Sequence, residues 1–138
     1  MEHYFHLQIK TQTKTNILYM RELARDPGRL EHILAAIDYC LKYTQGKTSD
    51  DIVDKDPLFY ALVKNEEIIG EAAYMLSQEF KDTHPKTDWR KIIAMRNVLV
   101  HGYFEISKGH IWSVIQNDLP PLRKQVVEYL KEFETTAG

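Results

Sequence analysis

The chain has 138 residues and a formal net charge of −2 at pH 7. That length sets a single domain with one core, and the near-neutral balance excludes a general coater of RNA or DNA, because any polyanion must meet a local basic patch. Cys40 is the only cysteine, which excludes an intrachain disulfide, and no apolar run reaches bilayer length; a cytoplasmic protein without a membrane segment is expected.

Residues 1–19 differ from the rest: they are rich in Thr and Gln, with acid only at Glu2. They are expected to be a disordered or accessory N-terminal extension, or a leader with Met20 as the start, and residues 20–138 the single folded domain. A first helix is predicted from Asp26 as N-cap and Pro27 in the first turn. Its apolar stripe is Leu30, Ile33, Leu34, Ile37, Cys40 and Leu41, and Gly46 ends it. A polar connector from Lys47 to Lys55 has room for a short turn around Ile52 and Val53.

Asp56 and Pro57 repeat the start signal for a second helix, predicted to reach about Phe80 with Leu62, Ile69, Ala73 and Leu76 on its buried side. Gly70 costs a helix interior about 1 kcal/mol relative to Ala, so it is expected to permit close approach of a neighbouring helix. A third helix follows His84-Pro85, capped by Thr87 or Asp88, with Trp89, Ile92, Ile93, Leu99 and Val100 at helical spacing. Ser107 is placed to cap a fourth helix carrying Ile111, Trp112 and Ile115. Pro120-Pro121 breaks or kinks it, and Leu122, Val126, Val127, Leu130 and Phe133 mark a last segment. No strand pattern competes, so the fold class is an all-α, up-and-down bundle of four to five helices.

The third helix ends in an unusual density of polar chemistry for a segment otherwise written to be buried: Arg96, Asn97, His101 and Tyr103. Gly102 suits a left-handed exit, which puts His101 in the last turn or just beyond it. Arg96 offers a permanently charged fork to phosphate, or an ion pair to Glu71 or Glu67. His101 is either a helix-end histidine held by the dipole or a proton carrier near neutral pH. Asn97 can touch His101, hold a phosphate or cap the helix end, and Tyr103 reads as a half-buried amphipathic anchor. Metal-free RNA cleavage needs a proton carrier for the 2′-hydroxyl or the 5′-oxygen, and a cation for the crowded phosphorane. Arg96 and His101 meet those two needs.

Helix geometry limits one copy, because at about 100° per residue roughly 140° separates Arg96 from His101. Either the helix ends before His101 or a second chain completes the site, and both are expected. Lys86, Arg90 and Lys91 are candidates for further phosphate contacts, whereas Arg123 and Lys124 read as a solvated face. Trp89 and Trp112 sit in apolar registers and read as core rather than base-stacking platforms. His32, His84 and His110 show no ligand spacing, so neither a metal nor a cofactor is expected.

The pattern Arg96-Asn97-x-x-x-His101-x-Tyr103 resembles the R-x4-H-x-Y motif of the HEPN superfamily, in its HepT-like toxin branch. Asn65-Glu66-Glu67-Ile68-Ile69-Gly70-Glu71-Ala72-Ala73 agrees with it, as does Ile111-Trp112 followed by Asp118-Leu119-Pro120-Pro121-Leu122. The similarity covers roughly Arg25 to Phe133 and departs at Ser107, where an acidic cap is common. The resemblance implies a HEPN-like bundle and a metal-independent endoribonuclease toxin of a prokaryotic, type VII-like toxin–antitoxin system. It implies a homodimer whose two motifs line one cleft, with Arg96 and His101 catalytic and Asn97 positioning the RNA. It further implies that a cognate nucleotidyltransferase antitoxin adenylylates Tyr103. Bulky anions two residues from His101 would block a substrate phosphate by size and charge. Relatives of this kind also suggest an alternative, a non-catalytic helical partner that presents nucleotide or substrate to a nucleotidyltransferase.

Overall fold

The computed structural model describes the backbone of residues 2–101 and 107–137, and the side chains of residues 14, 16–18, 20–96 and 107–135. Its elements are α1 (Glu2–Thr44), a 3-10 turn (Ser49–Asp51), α2 (Pro57–Met75), α3 (Gln78–Thr83), α4 (Trp89–His101), α5 (Lys108–Ser113), a π-helical turn (Val114–Asp118) and α6 (Leu119–Ala137). Among the described residues there is no strand, and the all-α bundle expected from the periodicity is the architecture found. One core collects Leu30, Ile33 and Ile37 of α1, Leu62 and Ile69 of α2, and Ile111, Ile115, Leu119 and Val126 from the C-terminal third. Trp89 is buried in this core and Trp112 packs against it.

The first helix does not begin at Asp26-Pro27. α1 runs straight through Pro27, and residues 2–19 form its N-terminal part. A proline in a helix interior costs about 3 kcal/mol or more. Leu30, Ile33 and Ile37, all fully buried in the turns after Pro27, anchor the C-terminal part of α1 in the core, whereas Leu18 and Met20 before it are exposed. Asp26, expected as an N-cap, instead works across the bundle. Its buried carboxylate accepts the Ser77 backbone N–H at 2.8 Å and the Ser77 hydroxyl at 2.6 Å.

That contact also explains why α2 stops at Met75, short of the expected Phe80. Leu76 leaves helical geometry with ψ 145, and Ser77 Oγ accepts the Phe80 N–H at 3.1 Å to cap α3. Gly46 turns the chain after α1 at φ 74, a left-handed conformation that favours glycine. The short turn of the connector forms at Ser49–Asp51, just before the expected Ile52 and Val53; Ile52 is fully buried behind it, whereas Val53 is exposed.

The start of α4 is fixed on several sides. Asp88 Oδ1 accepts the Lys91 N–H at 3.1 Å, the expected cap. Thr87 donates its one hydroxyl proton to Gln125 Oε1 at 2.6 Å, so Tyr129 OH must donate to Thr87 across their own 2.6 Å contact. Trp89 Nε1 donates to the His84 carbonyl at 3.0 Å, and the His84 ring stacks on Phe80 at 3.9 Å between centroids. His84 Nε2 reaches Glu132 Oε2 at 2.7 Å.

Ser107 Oγ accepts the His110 N–H at 3.1 Å and caps α5, as its type predicted. Pro120 and Pro121 have no N–H to donate. The turn before them widens to π geometry, and the helical run continues from Lys108 to Ala137. Arg123 is not merely a solvated face. Its Nε donates to Asp38 Oδ1 at 2.6 Å and its Nη2 to Oδ2 at 3.5 Å, tying α6 to α1.

Candidate active site

The site is built where α2 and α4 touch. A Cβ built on Gly70 would overlap the Arg96 Cβ and approach the Arg96 Cα and N to 3.0 Å. Glycine is therefore required for this approach, and the expectation for Gly70 holds. The close crossing brings Arg96 out along the seam rather than into the core, and its side chain remains 27% exposed.

Of the two ion-pair partners the sequence offered, Arg96 takes Glu71. Its Nε lies against Glu71 Oε2, an ionic contact in which the N–H is not aligned as a hydrogen bond. Glu67 instead pairs with Lys64 at 3.9 Å. The guanidinium carbon of Arg96 sits 4.7 Å from the centre of the Tyr74 ring, close enough for a cation–π attraction. Lys81 Nζ donates to the Tyr74 carbonyl at 3.2 Å and lies 5.9 Å from the same ring. Burial pulls the Lys81 ammonium pKa down from its ordinary value, with Asp26 and Asp82 opposing the shift. Among the described residues, no partner is recorded for either terminal nitrogen of Arg96.

Asn97 and His101 lie on the α4 backbone, but their side chains are outside the described residues, and Tyr103 is outside them entirely. Of the four motif residues, then, only Arg96 has a described environment. The backbone still decides one point. α4 includes His101 as its last residue, so the helix does not end before it, and that half of the expectation is corrected. With both residues on one regular helix, the roughly 140° between them stands.

Lys86 and Lys91, candidates for phosphate contacts, line a different surface. Lys91 Nζ pairs with Asp118 Oδ1 at 3.1 Å. Both lysines border a groove of about 380 Å³ with Ile92, Met95, His110 and Val114. That groove is centred roughly 100° around α4 from Arg96, by helix geometry.

The sequence reading missed two features of α2. Tyr74, half-exposed, was not singled out, although it follows Gly70 by one helical turn on the same side. Glu66 is fully buried, and among the described residues neither of its oxygens has a hydrogen-bond partner. Burial, and then the charge of Asp118, push its carboxyl up to about 9, so it is neutral at pH 7. Beside it, burial and then Glu66 push the Cys40 thiol up to about 12. The signal was present: Glu66 falls on the stripe Leu62, Glu66, Ile69, Ala73, a polar residue at an apolar register.

Among the described residues no group of three His, Cys, Asp or Glu could hold a metal ion. No helix among them is long and apolar enough to cross a membrane.

A family model described as Ribonuclease HepT-like matches residues 33–129. A protein of Caldanaerobacter subterraneus subsp. tengcongensis that carries a provisional RNase name is 39% identical over 103 residues, covering 75% of this chain and 92% of that protein. A Thermococcus cleftensis protein provisionally named ribonuclease HepT is 32% identical over 94 residues, 68% of this chain and 86% of its own. A Methanocaldococcus jannaschii protein named as a gamma-glutamylcyclotransferase and provisional RNase is 33% identical over 105 residues; these are 76% of this chain and 47% of that longer protein. No solved structure gives a significant match.

Proposed function

The chain belongs to the HepT-like ribonuclease family, and from that membership we propose that it is an endoribonuclease that cleaves RNA without a metal, through Arg96 and His101. The supporting observation is the state of Arg96: a cation on the motif helix, held at one nitrogen by Glu71 and open to solvent at the α2–α4 seam. A guanidinium so placed can meet a phosphodiester and stabilise the charge that builds on it as the 2′-hydroxyl attacks. The imidazole of His101 supplies the proton movement, taking one from the 2′-hydroxyl or giving one to the leaving 5′-oxygen.

Because α4 stays helical through His101, the two positions lie on different faces of one helix, which supports a homodimer whose partner chain completes each site. Asn97, next to Arg96, positions the substrate phosphate in this reading. As a toxin of a type VII-like pair, the protein would be silenced by a cognate nucleotidyltransferase that adenylylates Tyr103, adding anions two residues from His101.

The test uses purified protein on total tRNA and mRNA with a chelator present. Wild type is expected to cleave, and His101→Ala to leave RNA intact while its thermal melt stays unchanged. Identical RNA from both proteins sinks the enzyme reading. The Arg96–Glu71 ion pair favours one alternative, in which Arg96 is structural and the bundle presents nucleotide or substrate to a nucleotidyltransferase. Growth arrest on expression without such a partner separates the two, because only the toxin causes it.

A further inference from the structure

Arg96 does not extend freely from α4. Glu71, adjacent to Gly70, places a carboxylate oxygen against Nε, and Tyr74, one turn beyond Gly70, lays its ring 4.7 Å from the guanidinium carbon. Lys81 steadies the tyrosine from the far side of the α2–α3 break by its 3.2 Å bond to the Tyr74 carbonyl. We propose that Glu71 and Tyr74 are positioning residues that aim the Arg96 guanidinium at the scissile phosphate. The inference rests on the reading of Arg96 as the phosphate cation.

The argument is one of edges. A guanidinium is planar, with donors on distinct edges, and a phosphate is gripped best by two parallel N–H groups on one of them. Among the described residues Glu71 occupies the Nε side and Tyr74 takes a π contact, which leaves the terminal Nη pair for the second anion. The carboxylate does not displace the phosphate, because the two use different edges of one cation. A long side chain without these holds would spread over many rotamers and lose the aligned geometry that phosphoryl chemistry rewards. Gly70 belongs to the same device, since any side chain there would push α4 away from both anchors.

Single-turnover cleavage by Glu71→Gln, Tyr74→Leu and Tyr74→Phe is the test, each made alone and in an Arg96→Lys background. Glu71→Gln and Tyr74→Leu are expected to lower the cleavage rate by about 10- to 100-fold, with smaller changes in KM. Tyr74→Phe, which keeps the ring, should stay near wild type. In the Arg96→Lys background neither change should matter further, because the fork they orient is gone. Phenylglyoxal modification of Arg96, followed by mass spectrometry, gives a readout that needs no nuclease activity; it should quicken in Glu71→Gln and Tyr74→Leu. If both variants keep wild-type cleavage and modification rates while Arg96→Ala is inactive, positioning is overturned and the nuclease reading stands. If wild type itself cleaves no RNA, the nuclease reading fails and the aiming role falls with it, whatever the modification rates show.

Discussion

Arg123, on the α1–α6 seam, directs Nε to one oxygen of Asp38 at 2.6 Å and Nη2 to the other at 3.5 Å. Arg96, on the α2–α4 seam, meets Glu71 through Nε alone and rests its guanidinium on Tyr74. Both join two helices and both are about half-covered or more, yet they use their donors differently. Arg123 turns both ends of its fork to one carboxylate. Arg96 leaves its terminal nitrogens without a recorded partner among the described residues, which is the state expected of a cation that serves a ligand. An arginine's role is thus read from the donors its fold leaves open, more than from the presence of an ion pair.

Exchange of each arginine for alanine gives the widest expected separation between the two seams. Arg96→Ala should slow RNA cleavage by about 10²–10³-fold, the usual effect of removing one preorganised charge-stabilising group. Arg123→Ala should leave the cleavage rate unchanged in the same gel assay. Equal losses from the two would break the comparison.

The next largest effect concerns the seam itself. Gly70→Ala adds a Cβ that would overlap the Arg96 Cβ and meet its backbone, where α4 cannot yield cheaply. Overpacking of this kind costs about 1–3 kcal/mol, measurable as a lower urea midpoint. Cleavage should fall with it, because Arg96 is displaced from Glu71 and Tyr74. A Gly70→Ala protein as stable and active as wild type would show that the close approach is not needed.

The contrast between the seams also marks how far the sequence could be read. Gly70, the Asp88 and Ser107 caps and the buried stripes of α1 and α2 were legible, because each rests on local spacing or on the chemistry of one residue. Asp26 was misread as a cap because its partner, Ser77, is 51 residues away. The end of α2 followed from that same contact, although Ser77 was itself a cap signal. Arg123 looked solvated because Asp38 lies 85 residues away. For Arg96 the sequence left Glu71 and Glu67 open as ion-pair partners, and the structure takes Glu71. Nothing local announced that Tyr74 would turn its ring to the guanidinium. His101 and Tyr103 were named from the polar density at the end of the third helix, and the adenylylation of Tyr103 from the resemblance alone.

Glu66 sharpens the picture of the α2–α4 side through pH. Its carboxyl stands near an ordinary 4.5 when unfolded and is pushed up to about 9 in the fold. The folded form therefore holds a proton that the unfolded chain releases, so this contribution is complete below about 4.5 and is lost as pH rises towards about 9. Stability should fall across neutral pH with a slope from this group of at most ~1.4 kcal/mol per unit. Glu66→Gln stays neutral at every pH and keeps the shape, and should flatten the slope. Urea midpoints at three pH values between the two limits decide it; an unchanged slope in Glu66→Gln would mean that the carboxyl ionises freely.

The smallest effect belongs to the better-formed of the two arginine pairs. Arg123 and Asp38 are each close to half-exposed, so water and salt screen their attraction, and holding two long side chains in register costs entropy. The Asp38 carboxylate raises the Arg123 pKa further above its ordinary value, which changes nothing at working pH, since the guanidinium is already charged. Arg123→Ala should therefore shift the thermal midpoint only slightly, and high salt should erase the difference. A large, salt-insensitive loss would place the Arg123 stem, rather than its charge, at the centre of the α1–α6 contact. In that case both seams depend on packing first, and what sets Arg96 apart is solely the open edge of its guanidinium.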